Sequence, residues 1–253
     1  MSYSPRVGKR PPAVPPFAAK AASTRTNLRG VYRLLLARFG HAGWWPGETP
    51  FEVCVGAILV QNTAWTNAEK ALAALRDRGL LDFTSLRGVP VSRLERLIRS
   101  SGYYRVKARR LRAFLDFLGA RFGGRVEAMG DEDPERLRAT LLSVPGIGRE
   151  TADSIVLYAA GLPLFVVDAY TRRVFSRLGL VQGDEPYDEL QGFFMKRLPK
   201  RAALYNDFHA QIVALGKDVC RPRPRCGTCP LDRICLWRKA EGSGLEPSTR
   251  VLN

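Results

Sequence analysis

The sequence predicts an all-α fold, because helical patterns run along most of the chain and strand patterns are scarce. Apolar residues recur at three- and four-residue spacing, as they do on the buried face of an amphipathic helix. The short run 162–167 is rich in β-branched residues, but Pro163 within it and Asp168 after it indicate an extended connector. We therefore expect helices joined by loops, without a sheet.

The predicted helices follow one another in order from Asn27. There Leu28, Val31 and Leu35 begin the first helical repeat, which ends at Gly40. Pro, Gly or Thr bounds the later helices at suitable ends. These are expected at about 50–61, 66–78, 90–100, 104–122, 134–142, 169–178, 186–198, 201–216 and 231–240. The tails are expected to be disordered over residues 1–25, which are rich in Pro, Ala, Ser and basic side chains, and over 241–253.

The chain of 253 residues is strongly basic, with 40 Lys and Arg against 24 Asp and Glu, a net charge of +16 and a pI near 10.2. This excess predicts a polyanionic partner. Nucleic acid is favoured because Lys and Arg neutralise phosphates and release counterions, and an anionic membrane surface is the alternative. No apolar run approaches the ~18 residues of a membrane span, and no signal-peptide stretch is visible. We expect a monomeric cytoplasmic protein without a membrane partner, associated with the nucleoid if its source is bacterial.

Residues 141–159 predict two helices joined by a Pro-Gly-Ile-Gly turn. Gly146 and Gly148 permit a turn that side chains would block. The backbone N–H groups of the turn and of the second helix's first turn would then point outward together and hold a phosphate. The alternative is an ordinary connection between two helices, but the basic charge of the chain favours DNA binding. The predicted DNA contacts of the turn are Pro145, Gly146, Ile147, Gly148 and Arg149.

Four cysteines, Cys220, Cys226, Cys229 and Cys235, fall within sixteen residues near the end of the chain. Cys54 stands far from them and is interpreted as a buried apolar residue. In a reducing compartment clustered thiols are available as thiolates, so the group predicts a metal site. Four thiolates suit either zinc or a 4Fe-4S cluster, and the spacing alone leaves both open.

The hairpin, the segment around Asp168 and the cysteine loop together resemble the endonuclease III superfamily of helix-hairpin-helix DNA glycosylases, over about residues 27–240. The resemblance implies two domains with a cleft between them: a six-helix domain over 50–160 and a terminal domain built from 26–49 and 161–240. It implies that the hairpin binds double-stranded DNA, that Asp168 is catalytic, and that the four cysteines hold a 4Fe-4S cluster rather than zinc. One departure is that five residues separate the first two cysteines, where the family usually has one more.

A second departure concerns the residue two positions beyond Gly148. Bifunctional members of the family carry a lysine there and use it as a Schiff-base nucleophile, whereas this chain has Glu150. A carboxylate forms no imine, so the resemblance implies hydrolysis by water without AP lyase activity, unless Lys107 or another amine substitutes. Asp168 suits this chemistry because a carboxylate stabilises an oxocarbenium-like transition state and orients water. Its alternative role is the N-cap of the following helix, and both roles can coexist.

Trp44, Trp45 and Pro46 lie on a loop between the first two helices and are followed by Phe51. Aromatic residues at a helix junction are usually core, but this loop, with Glu150, resembles the bacterial 3-methyladenine glycosylases of the superfamily. An indole face favours a cationic N-alkylated purine, so we expect these residues to form the base pocket and the substrate to be an alkylated purine. Oxidised pyrimidines such as thymine glycol are the alternative substrates, and a noncatalytic DNA-binding homologue is the alternative to an enzyme.

Gln61 and Asn62 follow an apolar helix and resemble the polar wedge of the family. A glycosylase expels its base from the duplex and fills the gap, which is the task of such a wedge. Their alternative role is a helix C-terminal cap. We therefore add both residues to the predicted DNA contacts.

Overall fold

The computed structural model describes residues 27–41 and 47–242, so the predicted tail 1–25 lies outside the described residues. Every regular element in these ranges is a helix, which confirms the all-α prediction. The twelve α-helices of these ranges are α1 (Leu28–Phe39), α2 (Pro50–Leu59), α3 (Trp65–Arg76), α4 (Phe83–Gly88), α5 (Val91–Leu97), α6 (Tyr104–Phe122), α7 (Pro134–Leu142), α8 (Arg149–Ser154), α9 (Ala169–Leu178), α10 (Tyr187–Met195), α11 (Ala202–Asp218) and α12 (Leu236–Gly242). Short 3-10 helices lie at Arg99–Ser101, Glu127–Asp131, Cys226–Thr228 and Asp232–Ile234, and a π-helical turn at Ile155–Ala159 continues α8.

Helix α4 is missing from the helices predicted from the sequence. Its six residues bury only Leu86, which is too few to show a helical period. Asp82 nevertheless starts the helix by accepting a hydrogen bond from the Ser85 N–H (2.9 Å). The N-cap residue Asp82 was thus a usable sequence signal for this helix, whereas the apolar pattern was not.

Several predicted helices have different bounds in the structure, and those predicted over 90–100, 186–198 and 231–240 differ by three residues or more at one end. The helix predicted over 90–100 ends at Leu97 and is followed by a 3-10 turn. The helix predicted over 231–240 begins only at Leu236, because the residues before it form part of the cysteine loop. It reaches Gly242, two residues into the range expected to be a tail.

Residues 161–168 adopt neither helix nor strand, which confirms that this apolar run is a connector. Among the described residues, no helix is both long enough and apolar enough to cross a membrane. The long helix α6 illustrates the reason, because its first half carries five Arg and Lys side chains.

The chain divides into two compact units. Of the described residues, 47–166 and 200–206 form the first, called here the hairpin unit because it contains the Pro-Gly-Ile-Gly turn. Residues 27–41, 167–199 and 207–242 form the second, the cysteine unit. This division does not test the domain boundaries implied by the resemblance, which stay a prediction.

Helix α2 lies in the core of the hairpin unit, and every residue after its first is buried. Thr49 caps it by accepting a hydrogen bond from the Glu52 N–H (3.2 Å), and Pro50 occupies the first position, where no N–H donor is needed. The buried Glu52 carboxylate is paired with Arg76. Cys54 is fully buried, as predicted, and burial raises the pKa of its thiol.

Lys107 on α6 is buried in the same unit. Its ammonium group donates hydrogen bonds to the carbonyls of Leu59 (2.8 Å) and Ser101. Leu59 is the last residue of α2, where helix carbonyls lack intrahelical donors, so the cation closes the end of that helix. Burial, with a smaller contribution from the Arg110 charge, lowers the pKa of Lys107 to about 8.

The cysteine unit has an aromatic core around α9. Phe175 packs edge to face against Phe194, with 4.7 Å between ring centroids, and against Phe208 at 6.2 Å. Gly216 on α11 lets the Tyr170 ring approach, since a Cβ at that position would sit 2.6 Å from the ring. These contacts fix α9 against α10 and α11.

The lowered pKa of Lys107 predicts how stability depends on pH. Between about pH 8, the folded value, and 10.5, the usual value, the unfolded chain binds a proton at Lys107 that the folded chain has lost. The stability that Lys107 contributes therefore increases as the pH rises through this window. We expect the free energy of unfolding of the wild type to rise relative to that of Lys107→Met as the pH increases through this window. Urea denaturation of both proteins at each pH measures this difference. A difference that stays constant or falls with pH would contradict the assignment.

Candidate functional site

The predicted hairpin joins α7 to α8 within the hairpin unit. Between these helices the Ile147 N–H donates to the Val144 carbonyl (3.0 Å), and both side chains are buried. Ile147, which was predicted to contact DNA, thus has its side chain and its N–H engaged inside the protein. The other predicted contacts of the turn are exposed: Pro145, Gly146, Gly148 and Arg149. Two apolar side chains therefore anchor a turn whose remaining backbone faces solvent, as phosphate binding requires.

The two glycines of the turn have different roles. Gly146 has φ +89°, which L side chains rarely adopt, and a Cβ there would sit 2.3 Å from Cγ of Arg110. Gly148 has φ −94°, an ordinary value, and no heavy atom would lie within 4 Å of a Cβ there. The prediction that the turn needs both glycines is confirmed for Gly146 and wrong for Gly148. The open space beside Gly148 leaves room for a group that approaches the start of α8.

The second helix of the hairpin is fixed firmly to the first. Its apolar face is buried: Ala152, Ile155, Val156 and Ala159. Asp153 is also fully buried, and its carboxylate accepts a hydrogen bond from Nε of Arg138 on α7 (2.7 Å). Removal of one partner of a buried ion pair is strongly destabilising, because the other charge is left buried and unpaired. This pair therefore fixes how the two helices pack.

Gln61 lies against the hairpin. Its side-chain amide donates to the Gly146 carbonyl (3.1 Å) and to Oγ1 of Thr151 (2.9 Å), and its carbonyl accepts from Arg110. Asn62 is exposed, with φ +53°. Val60 occupies the C-cap of α2, and Asn62, two residues later, has the left-handed backbone that is common just after a helix end, so the cap alternative stays a prediction. The wedge role of the two residues stays a prediction.

Tyr103 is an exposed aromatic residue that the sequence analysis missed. Its side chain is 73% exposed and its φ is +45°, in the left-handed region, directly before α6. Lys107 binds the carbonyls of Leu59 and Ser101 together, so the segments that carry Asn62 and Tyr103 lie side by side. Bulky residues rarely adopt this backbone, and strained residues of this kind cluster at functional sites. The only signal in the sequence is a tyrosine between Gly102 and the start of a strongly basic helix.

Asp168 is the N-cap of α9 in the cysteine unit, which confirms its predicted structural role. Its Oδ1 accepts hydrogen bonds from the N–H (2.7 Å) and hydroxyl (2.9 Å) of Thr171. Its Oδ2 lies 3.6 Å from Nε2 of His209, a buried residue that the sequence analysis did not select. Burial lowers the pKa of His209, and the Asp168 charge opposes this shift. One carboxylate oxygen is thus fixed by α9, and the other faces the buried His209 imidazole at longer range.

The remaining predicted site residues are placed as follows. Glu150 is exposed in the first turn of α8, beside the Pro-Gly-Ile-Gly turn. Phe51 is buried in α2, at 7% exposure. The other predicted residues of the base pocket, Trp44, Trp45 and Pro46, lie outside the described residues. The base pocket therefore stays a prediction.

The four clustered cysteines line one cavity of the cysteine unit, with about 310 Å³ of empty space that includes space open to solvent. Arg177, Arg225 and Trp237 line it as well. Arg177 donates to Sγ of Cys220 (3.4 Å) and accepts at its carbonyl from the Cys235 thiol (3.4 Å). In the described part of the chain, no three His, Cys, Asp or Glu side chains converge closely enough to hold a single metal ion.

Helix α9 also anchors the main chain of the cysteine loop. Arg173 donates to the carbonyls of Cys220 (2.9 Å) and Gly216 (2.8 Å). Arg177 donates to the carbonyls of Arg221 (2.6 Å) and Pro222 (2.9 Å). The arginines of the loop are exposed: Arg221, Arg223, Arg225 and Arg233. The loop is thus held by two guanidinium groups of α9, and its own arginines present basic groups to solvent.

Comparison with protein families and known sequences gives consistent matches. A family model described as HhH-GPD superfamily base excision DNA repair protein matches residues 55–200. A protein of Methanocaldococcus jannaschii, provisionally named a DNA repair glycosylase, is 46% identical over 81% of this chain and 94% of its own length. Endonuclease III of Thermotoga maritima is 32% identical over 77% of this chain and 86% of its own length.

Two solved structures also match this chain. A noncovalent endonuclease III–DNA complex matches with a TM-score of 0.73 and 27% identity, over 85% of this chain and 97% of that one. The 3-methyladenine DNA glycosylase of H. pylori, bound to 1,N6-ethenoadenine, matches with a TM-score of 0.66 and 29% identity, over 76% of this chain and 98% of that one. Both matches span nearly the whole of the known protein.

The different backbones of the two glycines predict different effects of the same substitution. We expect Gly146→Ser to lower the free energy of unfolding by about 1–3 kcal/mol, because the side chain would meet Arg110 and the left-handed backbone would be strained. Gly148→Ser should change stability by less than about 0.5 kcal/mol, because serine is a favoured N-cap residue. Urea denaturation of both variants checks this. Equal losses of stability would contradict the described geometry of the turn.

Proposed function

This chain belongs to the HhH-GPD superfamily of base excision DNA repair proteins, and we propose that it hydrolyses the N-glycosidic bond of alkylated purines such as 3-methyladenine. The observation that carries the proposal is Glu150, exposed in the first turn of α8 where bifunctional relatives carry a lysine. A carboxylate at this point provides no amine for a Schiff base. Water is then the nucleophile that attacks the sugar.

The position of Lys107 supports hydrolysis by water. Its ammonium group is buried and donates to two main-chain carbonyls. An amine held in this way would have to leave both carbonyls without a donor in order to reach a sugar, which is unfavourable. Lys107 is therefore unsuited to replace the missing lysine.

Asp168 would supply the catalytic carboxylate. Thr171 holds Oδ1 through two hydrogen bonds, so the carboxylate is oriented before a substrate arrives. Oδ2 is then the oxygen that stabilises positive charge on the sugar ring and orients or deprotonates the attacking water. Because a cationic alkylated base is already a good leaving group, little acid catalysis is required of the protein.

The hairpin unit would bind the DNA. The exposed backbone of the Pro-Gly-Ile-Gly turn, the start of α8 and Arg149 suit a phosphate group. The net charge of +16 favours the duplex as a whole. Asn62 and Tyr103 are exposed side chains on two segments that Lys107 holds together, and both suit filling the gap left by an expelled base.

The likeness to the H. pylori 3-methyladenine DNA glycosylase supports the alkylated base, as does the predicted aromatic pocket at Trp44 and Trp45. A second candidate function is removal of oxidised pyrimidines. The observation that favours it is the TM-score of 0.73 to endonuclease III, against 0.66 to the H. pylori enzyme. The two candidates differ in the base released and share the same site.

We also propose that Cys220, Cys226, Cys229 and Cys235 hold a 4Fe-4S cluster. The four thiols line one cavity of the cysteine unit. Four thiolates suit either zinc or a 4Fe-4S cluster, and the resemblance to endonuclease III favours the cluster. Arg177 beside Cys220 would offset its negative charge. When bound, the cluster would cross-link the loop and stabilise the fold without taking part in hydrolysis.

The substrate assignment is tested with a panel of damaged duplexes. We expect the purified protein to release 3-methyladenine from methylated DNA, measured by chromatography of the free bases, above a parallel preparation that lacks the protein. Release of thymine glycol instead would favour the second candidate. Tight duplex binding with no base released from any substrate would show a noncatalytic DNA-binding protein and remove the proposed activity.

The role of Glu150 is tested by borohydride trapping on DNA with an abasic site. The wild type should give no covalent adduct, because trapping requires an imine with an enzyme amine. The variant Glu150→Lys places an amine at the exposed start of α8 and should give an adduct, whereas the matched variant Glu150→Gln should not. A wild-type adduct would contradict water as the nucleophile.

The cluster is tested by metal and sulfide analysis of protein purified without oxygen. We expect about four irons and four sulfides per chain, with the visible absorption of a cluster. Cys226→Ser should lose this absorption, and Cys54→Ala, which changes the cysteine outside the loop, should keep it. Stoichiometric zinc without iron would contradict the proposal.

A further inference from the structure

Two exposed segments of the hairpin unit, 60–63 and 100–104, each contain a residue with an unfavourable backbone. Among the residues that the structure describes, Asn62 (φ +53°) and Tyr103 (φ +45°) are the two other than glycine whose φ lies in the left-handed region. Both side chains are exposed. A backbone of this kind persists only where the surrounding structure holds it in place. The groups that hold these two segments therefore decide what surface the segments present.

The buried ammonium group of Lys107 binds the main chain of both segments at once. It donates a hydrogen bond to the Leu59 carbonyl (2.8 Å), just before the first segment, and another to the Ser101 carbonyl in the second. At pH 7, below its pKa of about 8, Lys107 is mostly charged. Hydrogen bonds from a charged donor are stronger than those from a neutral one, and a buried carbonyl that loses its donor is costly. Loss of this amine would therefore loosen both segments together.

Asn67 on α3 forms a second link between the same segments, closer to the surface. Its side-chain amide donates to Oγ1 of Thr63 (3.0 Å), and its carbonyl accepts a hydrogen bond from the Ser100 hydroxyl (3.1 Å). Ser100 is exposed, whereas Lys107 is buried. Two links at different depths oppose both separation and rotation of the segments, so the segments are expected to move as one body.

We propose that Lys107 is a positioning residue for base expulsion, which holds the segments 60–63 and 100–104 as one rigid surface so that exposed side chains of both enter the duplex together. The inference rests on the proposed function in one respect, since it takes an expelled base as the event that the surface serves. Unpairing and unstacking a base are costly, and the gap must be filled as the base leaves. A preorganised surface fills it without first losing the conformational freedom of two mobile loops.

The first test uses the free protein, so it does not depend on DNA. In hydrogen–deuterium exchange, Lys107→Met should speed exchange in both segments by about tenfold relative to the amides of α7, as expected for the loss of a charged donor. Lys107→Arg keeps a cationic donor and should recover part of the protection. Lys70→Met, which removes an exposed lysine of the same unit, should exchange as the wild type does. Faster exchange in only one segment, or in neither, would overturn the proposal.

Ser100→Ala is a second variant that leaves the buried core unchanged, and it serves if Lys107→Met does not fold. It removes the hydroxyl that binds the Asn67 carbonyl. We expect a smaller acceleration, about twofold, in the segment 100–104 and also in 60–63, which the Ser100 side chain does not contact directly. An acceleration confined to 100–104 would show that the two segments are independent and would contradict the proposal.

The second test separates base expulsion from binding to the DNA backbone. The probes are an undamaged duplex and a duplex with a stable abasic analogue opposite 2-aminopurine. The Pro-Gly-Ile-Gly turn is anchored separately by the buried Val144 and Ile147. Lys107→Met should therefore bind the undamaged duplex within about twofold of the wild type. It should lose about tenfold in affinity for the abasic duplex, together with the fluorescence change of 2-aminopurine.

A merely structural role gives a different pattern, because a partly unfolded protein loses affinity for both duplexes by the same factor. Equal losses, or a wild-type fluorescence change in Lys107→Met, would overturn the proposal. Lys70→Met should keep the preference of the wild type for the abasic duplex. If the wild type binds neither duplex, the proposed function fails and the role in base expulsion fails with it. The exchange experiment still shows in that case whether Lys107 holds the two segments together.

Discussion

The Asp168 carboxylate caps the N-terminus of helix α9, and side chains of the same helix bind the cysteine loop. At its start, Oδ1 of Asp168 accepts two hydrogen bonds from Thr171. Further along, Arg173 and Arg177 donate to main-chain carbonyls of the loop and to Sγ of Cys220. A ten-residue helix is about 15 Å long and stiff. The position of the carboxylate is therefore coupled mechanically to the order of the loop.

The hairpin unit meets a different requirement, which is to expose backbone groups without losing rigidity. The left-handed Gly146 turns the chain outward, and the buried side chains on either side of it hold the turn to the core. The pair Arg138 and Asp153 fixes the two helices, and Gln61 supports the turn from below. A preorganised turn of this kind binds a phosphate without first losing the conformational freedom of a mobile loop.

Features that depend on residues close together in the sequence could be predicted from it. The hairpin, the cap formed by Asp168 and the cysteine loop each depend on spacing within a few residues, so local chemistry reveals them. Contacts across long separations were not: Gln61 and Gly146 are 85 residues apart, and Lys107 and Leu59 are 48 apart. Nothing in a local pattern indicates which side chain supports a turn, nor that Gly148 has an ordinary backbone while Gly146 does not. The sequence predicts a wedge or a helix cap at Gln61 because this residue follows a helix. In the folded chain, its side chain instead binds the Gly146 carbonyl of the hairpin.

The central claim is that one carboxylate both caps a helix and carries the chemistry. Asparagine caps helices as well as aspartate does, but it carries no charge. The decisive measurement is the single-turnover rate of base release from methylated DNA by Asp168→Asn, taken together with its melting temperature. We expect the variant's rate to be lower by about 100-fold or more at an unchanged melting temperature. A variant that melts like the wild type and also releases the base at the wild-type rate would contradict it.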